Sequence, residues 1–507
     1  MQDGEPIPLI ARARLHGERV ALVDEHGALT YRALLEASAR AAAELRARGE
    51  DLAGARIALL APPGAAYVIW QWAIWRAGGV AVPLCTSHPA PELEYVLDDA
   101  GASAVVVHPQ WHALIAPSAG RRGLRVLSTA GPDADPGSAA AHARLPHVAA
   151  ERGAMLLYTS GTTGKPKGVL STHANLAAQI ESLIAAWEWS ARDRVLHVLP
   201  LHHLHGILNA LCCALWAGAC CEFLPRFEAE RVLDRIADST ELTLLMAVPT
   251  MYAKLADAWD RAEPERRSRI SARLSRLRLM VSGSAALPVA MLERWHAISG
   301  HVLLERYGMT EFGMGLGQPL HGERRPGHVG IPFPGIDVRL VDERLAPVPD
   351  GEPGQLQVRG PGVFQQYWQR PEATREAFTA DGWFKTGDIA LRERGMYRIL
   401  GRESVDILKT GGYKVSALEI EDALREHPAI AECAVVGVPD AQWGQRVAAA
   451  VVLRQGAALE LDALRAWGKA RLAPYKVPTV LRLVPALPRN AMGKVQKPEI
   501  IRMLTSA

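Results

Sequence analysis

The chain carries almost no surplus charge. Its 57 Lys and Arg against 54 Asp and Glu leave a formal +3 over 507 residues, too little to attract a polyanion, so nucleic acid is not an expected partner. Long apolar runs are missing too. The nearest, "GILNALCCALWAGACC" from Gly206 to Cys221, is shorter than the roughly 20 residues a membrane helix needs and carries Asn209. It is predicted to be a buried helix, and no membrane partner is expected. The first residues hold no apolar core of the signal-peptide type, and Asp3, Glu5 and Glu18 depart from the acid-poor pattern of a mitochondrial presequence, despite Arg12, Arg14 and Arg19. A cytoplasmic protein is expected. Cysteine is scarce: six residues, unevenly spread, are too few for a disulfide framework. Four form the pairs Cys212-Cys213 and Cys220-Cys221. They are read as small buried hydrophobes in preference to zinc ligands with His202, His203 and His205, because adjacent residues on a helix point about 100° apart. Internal repeats and low-complexity tracts are absent.

What is present is an ordinary globular composition, 49% hydrophobic and 22% charged, in a chain too long for one core. Apolar strands alternate with amphipathic helices from Ala21 to about Val107: "RIALLAP", the helix "AAYVIWQWAIWRAG", "GVAVPL", then "ASAVVVH". A second series runs through "RVLHVLPL", "CEFLP", "TLLMAVPT", "LRLMVSGSAAL" and "HVLLERYGMTE". Such alternation predicts an α/β fold with mainly parallel sheets, the functional loops gathered at one sheet edge. From about 329 to 400, short strands with Gly and Pro turns predict a small β-rich subdomain. After Arg402 a compact α+β unit of about a hundred residues is expected, large enough for its own core. The predicted domains are therefore 1–401 and 402–507.

Three loops carry recognisable chemistry. "YTSGTTGKPKGV" supplies amides at Gly161, Gly164 and Gly168, hydroxyls at Thr159, Ser160, Thr162 and Thr163, and ammonium groups at Lys165 and Lys167, which is what clamping a polyphosphate requires. It is not a Walker A loop, because Pro166 stands where Ser or Thr would follow the lysine. "YGMTE", read as a loop after the strand "HVLLER", offers Tyr307 for base stacking, Thr310 for a phosphate oxygen and Glu311 for magnesium, a hard cation that prefers oxygen ligands. "KTGD" sets Asp388 after a glycine turn, suited to a ribose diol. Together they predict a nucleoside triphosphate site.

"YTSGTTGKPKG", "YGMTE", "TGD", "YRILGR" and the terminal "PRNAMGK" follow the order and spacing of the adenylate-forming superfamily of acyl-CoA synthetases, luciferases and peptide-synthetase adenylation domains, and the chain resembles that superfamily from about Ala21 to Ile501. The resemblance implies a large N-terminal domain and a small mobile C-terminal one, with ATP, Mg2+ and coenzyme A as cofactor and co-substrates. It assigns Thr159 to Gly168 to the β- and γ-phosphates, Gly283, Ser284, Ala285, Ala286 and Tyr307 to the adenine, Thr310 to the α-phosphate and Glu311 to magnesium. Glu305, Gly308 and Met309 join this nucleotide set, and Asp388 with Arg402 takes the ribose. Lys494 becomes the adenylation lysine, which stabilises charge developing between the acid and the α-phosphate. Its "PxxxxGK" setting, Pro488 to Lys494, resembles sites that a lysine acetyltransferase controls. "KTGGYKVSALE" implies a thiol tunnel shaped by Lys409, Gly411, Gly412 and Tyr413, with Ser404 or Val405 as the hinge.

For the acid, "ERYGMTE", "PLHHLHG" and "VSGSAALP" resemble malonyl-CoA synthetases, including those that accept methylmalonate. Arg306, just before the adenine-site tyrosine, suits a second carboxylate through a two-point hydrogen bond and opposes a greasy tail. An ion pair with Glu305 or Glu311 is the structural alternative, and Lys254 and Arg226 are rival anchors. His205 and Met314 are candidate pocket walls or packing residues. The implied function is ATP-dependent ligation of a small dicarboxylate, most simply malonate, to coenzyme A. Methylmalonate or another short acid, a carrier-protein thiol as acceptor, and a non-catalytic nucleotide-binding protein are the alternatives.

Overall fold

The computed structural model describes residues 7–46, 50–130, 145–159, 165–410, 413–440, 443–489 and 495–505. It divides into two compact units, Met1–Asp337 with Arg359–Gly382, and Val338–Val358 with Trp383–Ala507. Among the described residues no helix is long and apolar enough to cross a membrane.

The first unit holds two large sheets. In the nine-stranded sheet, Arg194–His197, Cys220–Phe223, Leu244–Ala247, Leu279–Ser282 and the start of Leu304–Met309 run parallel. Leu244–Ala247 and Leu279–Ser282 are buried at every position, as expected for strands covered on both faces. Parallel direction brings the residues that follow these strands to one edge: 198–205, 248–249 and 283–287. The other sheet has seven strands, with Arg56–Leu60, Val80–Pro83, Ala104–Val107 and Arg125–Ser128 parallel at its centre and one margin. Gly153–Thr159 and Lys167–Thr172 form an antiparallel hairpin at the other margin, and Gln366–Tyr367 pairs with its second strand.

Two local expectations change. The apolar run beginning at Gly206 is helical only in part: a widened π-type segment covers His205–Cys212, an α-helix follows over Cys213–Ala217, and Cys220–Phe223 is a strand. Gly218, left-handed at φ 77°, ends the helix. "YGM" is not loop but the end of the strand Leu304–Met309, which turns antiparallel onto Gly313–Gly317 with a register shift at Tyr307/Gly308. Close pairing requires glycine here, since a Cβ on Gly308 would stand 2.0 Å from the Gly313 carbonyl oxygen.

The second unit contains a four-stranded sheet, Asp337–Val341, Gly354–Arg359, Phe384–Glu393 and Met396–Arg402, and a five-stranded one. In the latter Ile430–Asp440 pairs antiparallel with Gly444–Leu453, which Val480–Leu483 joins in parallel. Alternating side chains feed two small cores: Val435 and Val447 pack with Ile420 and Leu424 of helix Ala417–Arg425, while Val436 and Ala448 pack with Ile500 of helix Lys497–Thr505. The strands of the segment expected as a β-rich subdomain, Gly354–Arg359 apart from its last residue, Phe384–Glu393 and Met396–Arg402, thus group with the C-terminal residues in this division.

Candidate active site

Arg306 sits in the middle of strand Leu304–Met309 and is 3% exposed. Successive strand side chains point to opposite faces, and Glu305 and Arg306 part accordingly. The Glu305 carboxylate accepts the Leu287 N–H at 3.0 Å, holding the 283–287 turn, while the guanidinium of Arg306 donates to Ser284 Oγ at 3.2 Å. The Arg306 side chain lies against Gly283, where a Cβ would stand 2.5 Å from Cζ. Ser284 is held at φ 71°, a strained conformation for serine, and its hydroxyl is 3.3 Å from His205 Nδ1. Ser284, Ala285 and Ala286 are exposed, so this turn forms an open rim.

The electrostatics of this group are unbalanced. Arg306 forms no ion pair among the described residues, and its buried Nε has no hydrogen-bond partner there. Burial pushes its pKa down to about 9, opposed only by the charge of Glu305. His205 is buried with Nε2 unpartnered; burial first, then Arg306, hold it well below the usual histidine range, so it is neutral. A buried cation beside a neutral imidazole, with donor capacity unspent, is suited to a carboxylate. Met314 is buried opposite Gly308 on the neighbouring strand. Lys254 is exposed on helix Pro249–Arg261, whose Tyr252, Leu255 and Ala256 face the core, and Arg226 is an exposed residue paired with Glu228. Neither rival anchor is buried as Arg306 is.

Ser160, Gly161, Thr162, Thr163 and Gly164 lie outside the described residues. The described positions on either side of them are the strand pairs Thr159↔Lys167 and Tyr158↔Gly168. Tyr158 donates to Asp99 at 2.9 Å, Asp99 pairs with Arg370 at 2.5 Å, and Tyr95 donates to the Pro166 carbonyl at 2.7 Å. The exposed ammonium groups of Lys165 and Lys167 stand over the rings of Tyr95 and Tyr367, 5.4 and 5.1 Å from the centroids. Tyr367 also donates to Glu311 Oε1 at 2.9 Å. This tyrosine therefore joins a lysine flanking the loop to the buried carboxylate that closes "YGMTE". One oriented carboxylate fits Mg2+, which is commonly held by one or two carboxylates with phosphate and water oxygens completing the shell. Thr310 precedes it, half-buried, and the Tyr307 ring lies 5.9 Å from that of Phe312. Met309 ends the strand, half-buried. Among the described residues no group of three or more His, Cys, Asp or Glu is placed to hold a metal.

In the second unit, Asp388 and Arg402 are register partners on adjacent strands. Their side chains pair at 3.0 Å, and Arg402 Nη1 also donates to the Thr386 carbonyl at 2.7 Å. Ser404 and Val405 lie in a turn closed by hydrogen bonds from Asp406 N to the Arg402 carbonyl and from Arg402 N to Asp406 Oδ2. Lys409 is exposed, its N–H donating to Gln445 Oε1 at 2.7 Å; Tyr413 is exposed and stacks on Tyr475 at 4.2 Å. Gly411, Gly412 and Lys494 lie outside the described residues.

Sequence reasoning missed Tyr367, Tyr95, Asp99 and Arg370. Their partners lie 56 to 271 residues away, and no local motif marks them.

A profile of the AMP-binding enzyme family matches residues 9–368, and one of the AMP-binding enzyme C-terminal domain matches 419–494. The mitochondrial malonate–CoA ligase of Mus musculus is 46% identical, over 99% of this chain and 91% of its own length. The crystal structure of ATP-bound MatB from Rhodopseudomonas palustris is similar with a TM-score of 0.89 and 36% identity, covering 98% of this chain and 99% of that one. A malonyl-CoA ligase ternary product complex with methylmalonyl-CoA and AMP bound is similar at a TM-score of 0.68 and 36% identity, over 95% and 100% of the two chains. With the site motifs standing on the strand ends and hairpins just described, the chain belongs to the AMP-binding enzyme family, a member of the adenylate-forming superfamily.

Proposed function

We propose that this protein is an AMP-forming acid–thiol ligase that converts malonate to malonyl-CoA with ATP and coenzyme A. One carboxylate of malonate attacks the α-phosphorus of ATP; the α–β phosphoanhydride bond breaks, pyrophosphate leaves and malonyl-AMP forms. The coenzyme A thiol, losing its proton, then attacks the acyl carbon and AMP leaves with the electron pair. The carrying observation is Arg306, a buried guanidinium without a carboxylate partner among the described residues and with an unused Nε. The second carboxylate of malonate supplies the missing countercharge by two-point hydrogen bonding, which a monocarboxylate cannot do. The similarity to the mouse malonate–CoA ligase and to a malonyl-CoA ligase solved with methylmalonyl-CoA and AMP supports a malonate-type acid.

In this reading Ser284 and neutral His205 orient the distal carboxylate, and Thr310 and the 159–168 hairpin hold phosphate oxygens. Glu311, set by Tyr367, would hold Mg2+, which when bound neutralises phosphate charge. The Asp388–Arg402 pair takes the ribose, Lys494 stabilises the charge that develops during adenylation, and the C-terminal domain begins at Arg402 and moves between half-reactions about Ser404 or Val405. Control of Lys494 by an acetyltransferase rests on its "PRNAMGK" setting alone, and mass spectrometry of the purified protein tests it. Cell fractionation tests a cytoplasmic against a mitochondrial placement, the mouse relative being a mitochondrial enzyme.

The decisive experiment is a panel of acids, acetate to octanoate with malonate, methylmalonate and succinate, assayed for acid-dependent pyrophosphate exchange and for thioester formation with free coenzyme A. Malonate should give the highest kcat/KM. Preference for a monocarboxylate would overturn the substrate, and exchange without thioester would point to a carrier-protein acceptor.

A further inference from the structure

One cluster of reactive groups has no part in the ligase reading. Cys85 follows the strand Val80–Pro83, and His202 lies in the segment after Arg194–His197, so the ends of strands from the two large sheets meet here. His88 and His202 stand close enough to the Cys85 thiol to act on its ionisation, and its sulfur is 3.1 Å from Ser87 Oγ. His88 in turn has Nδ1 3.2 Å from Glu92 Oε2, which pairs this imidazole with a carboxylate. The rings of His88 and His202 have centroids 6.4 Å apart, and that of His203 is tilted against His202 at 4.1 Å. Cys85 is buried, Ser87 beside it is exposed, and His88 and His202 are half-buried.

The other five cysteines have no such surroundings. Burial pushes Cys212 and Cys433 up to about 12 and Cys220 to about 11, with Cys213 and Cys221 also raised well above the ordinary value. At Cys85 the hydrogen bonds of His202 and His88 outweigh desolvation and bring the thiol down to about 5, while the sulfur raises His88. His88 and His202 thus favour the thiolate, the form that reacts with electrophiles.

We propose that Cys85 is a modification site, a thiol clustered with Ser87, His88 and His202 that small hydroperoxides convert to sulfenic acid, and that this change disturbs the acyl pocket through the segment His202–His205. The sulfur lone pair attacks one peroxide oxygen and the O–O bond breaks. The departing hydroxide takes the His88 proton and leaves as water; sulfur is oxidised by two electrons and the peroxide reduced. A small thiol returns the sulfenic acid to thiol in two further steps, through a mixed disulfide. The added oxygen removes the sulfur acceptor from His202, three residues before His205, whose ring meets Ser284 beside Arg306. Only this coupling to the pocket rests on the ligase reading.

The full-length protein is treated with iodoacetamide at about pH 6, and each cysteine is followed by peptide mass spectrometry; Cys85 should react at least tenfold faster than any other. His88→Gln should slow Cys85 by roughly tenfold and leave the others unchanged. Hydrogen peroxide should then label Cys85 for dimedone and lower malonate-dependent pyrophosphate exchange in step, with recovery on dithiothreitol, while Cys85→Ser or Cys85→Ala keeps its exchange under peroxide. Alkylation of Cys85 no faster than of Cys433 would overturn the site. Full oxidation with unchanged exchange, or equal loss in the Cys85 variants, would overturn the coupling. An untreated protein without exchange would instead count against the ligase reading and leave the alkylation result to decide the site.

Discussion

Replacing Arg306 by methionine tests the substrate reading through two quantities that should move in opposite directions. The side chain is 3% exposed and lacks an ion pair among the described residues, so its charge is offset only in part, by the more distant Glu305. Its fall to about 9 from the ordinary 12.5 corresponds to a cost of ~5 kcal/mol at 1.36 kcal/mol per pH unit. An arriving carboxylate recovers part of that cost. Charge-assisted hydrogen bonds contribute about 1.5–3 kcal/mol, and a two-point pair with some of the burial cost returned reaches ~4 kcal/mol. Arg306→Met should therefore lower kcat/KM for malonate by about tenfold to a thousandfold while leaving acetate within roughly threefold. Without malonate the same variant should melt a few degrees higher, because an uncompensated buried charge has become a hydrophobe of similar length. The measurements are steady-state kinetics on both acids and calorimetric melting with and without malonate. Equal losses on both acids together with a lower melting temperature would refute the argument and make Arg306 a structural cation.

Tyr367→Phe removes the hydroxyl that orients Glu311 and should raise the Mg2+ concentration for half-maximal pyrophosphate exchange by about tenfold, with KM for malonate unchanged; an unaltered Mg2+ titration would detach Tyr367 from the metal. Stability should fall as the pH drops from 6.5 toward 4, because His173 and His197, buried and neutral, are lowered to about 3 and about 4. Their contribution is fully present above the unfolded value and is lost at about 1.4 kcal/mol per pH unit for each; urea denaturation midpoints that are flat between pH 6.5 and 4.5 would contradict this. Lys497 is buried and pairs with Asp406 at 2.6 Å and Glu421 at 2.7 Å, so Lys497→Met should cost about 3–5 kcal/mol in the unfolding of the second unit. Its pKa is raised above 10.5, against desolvation, by Glu421 and Asp406, so the contribution is complete at neutral pH and fades only in alkali; a variant as stable as the parent in urea would refute it.

The parallel strands were legible because burial on both faces leaves uninterrupted apolar runs. "LRLMVSG" and "TLLMAVP" could be little else, and both are strands. The Gly206–Cys221 run was harder, since periodicity cannot separate a buried helix from a buried strand over a few residues. Gly218 at φ 77° marks where helix gives way to the strand Cys220–Phe223. In "YGMTEFGMGLG" the glycines suggested a bend, whereas their effect is to let the strands Leu304–Met309 and Gly313–Gly317 approach closely. A glycine permits a turn and a tight backbone contact equally well, and only the partner strand decides between them.

The candidate site divides along the same line. Its motif residues could be found because each loop carries its own chemistry, but the groups that orient them come from elsewhere in the chain. Nothing in "QQYWQ" foretells that Tyr367 will hold Glu311 or lie under Lys167. The sequence also left open an ion pair between Arg306 and Glu305, which the strand forbids. Neighbours on a strand point to opposite faces, so the carboxylate that could have neutralised Arg306 is turned away to Leu287. A slip of one residue would exchange the two, placing an anion where Arg306 meets Ser284 and His205. The register Val281↔Leu304 and Ser282↔Glu305 prevents that slip. Acid selectivity in the proposed function therefore depends on strand register as much as on the arginine itself: the register leaves a cation buried without an internal partner, and a dicarboxylate can supply one.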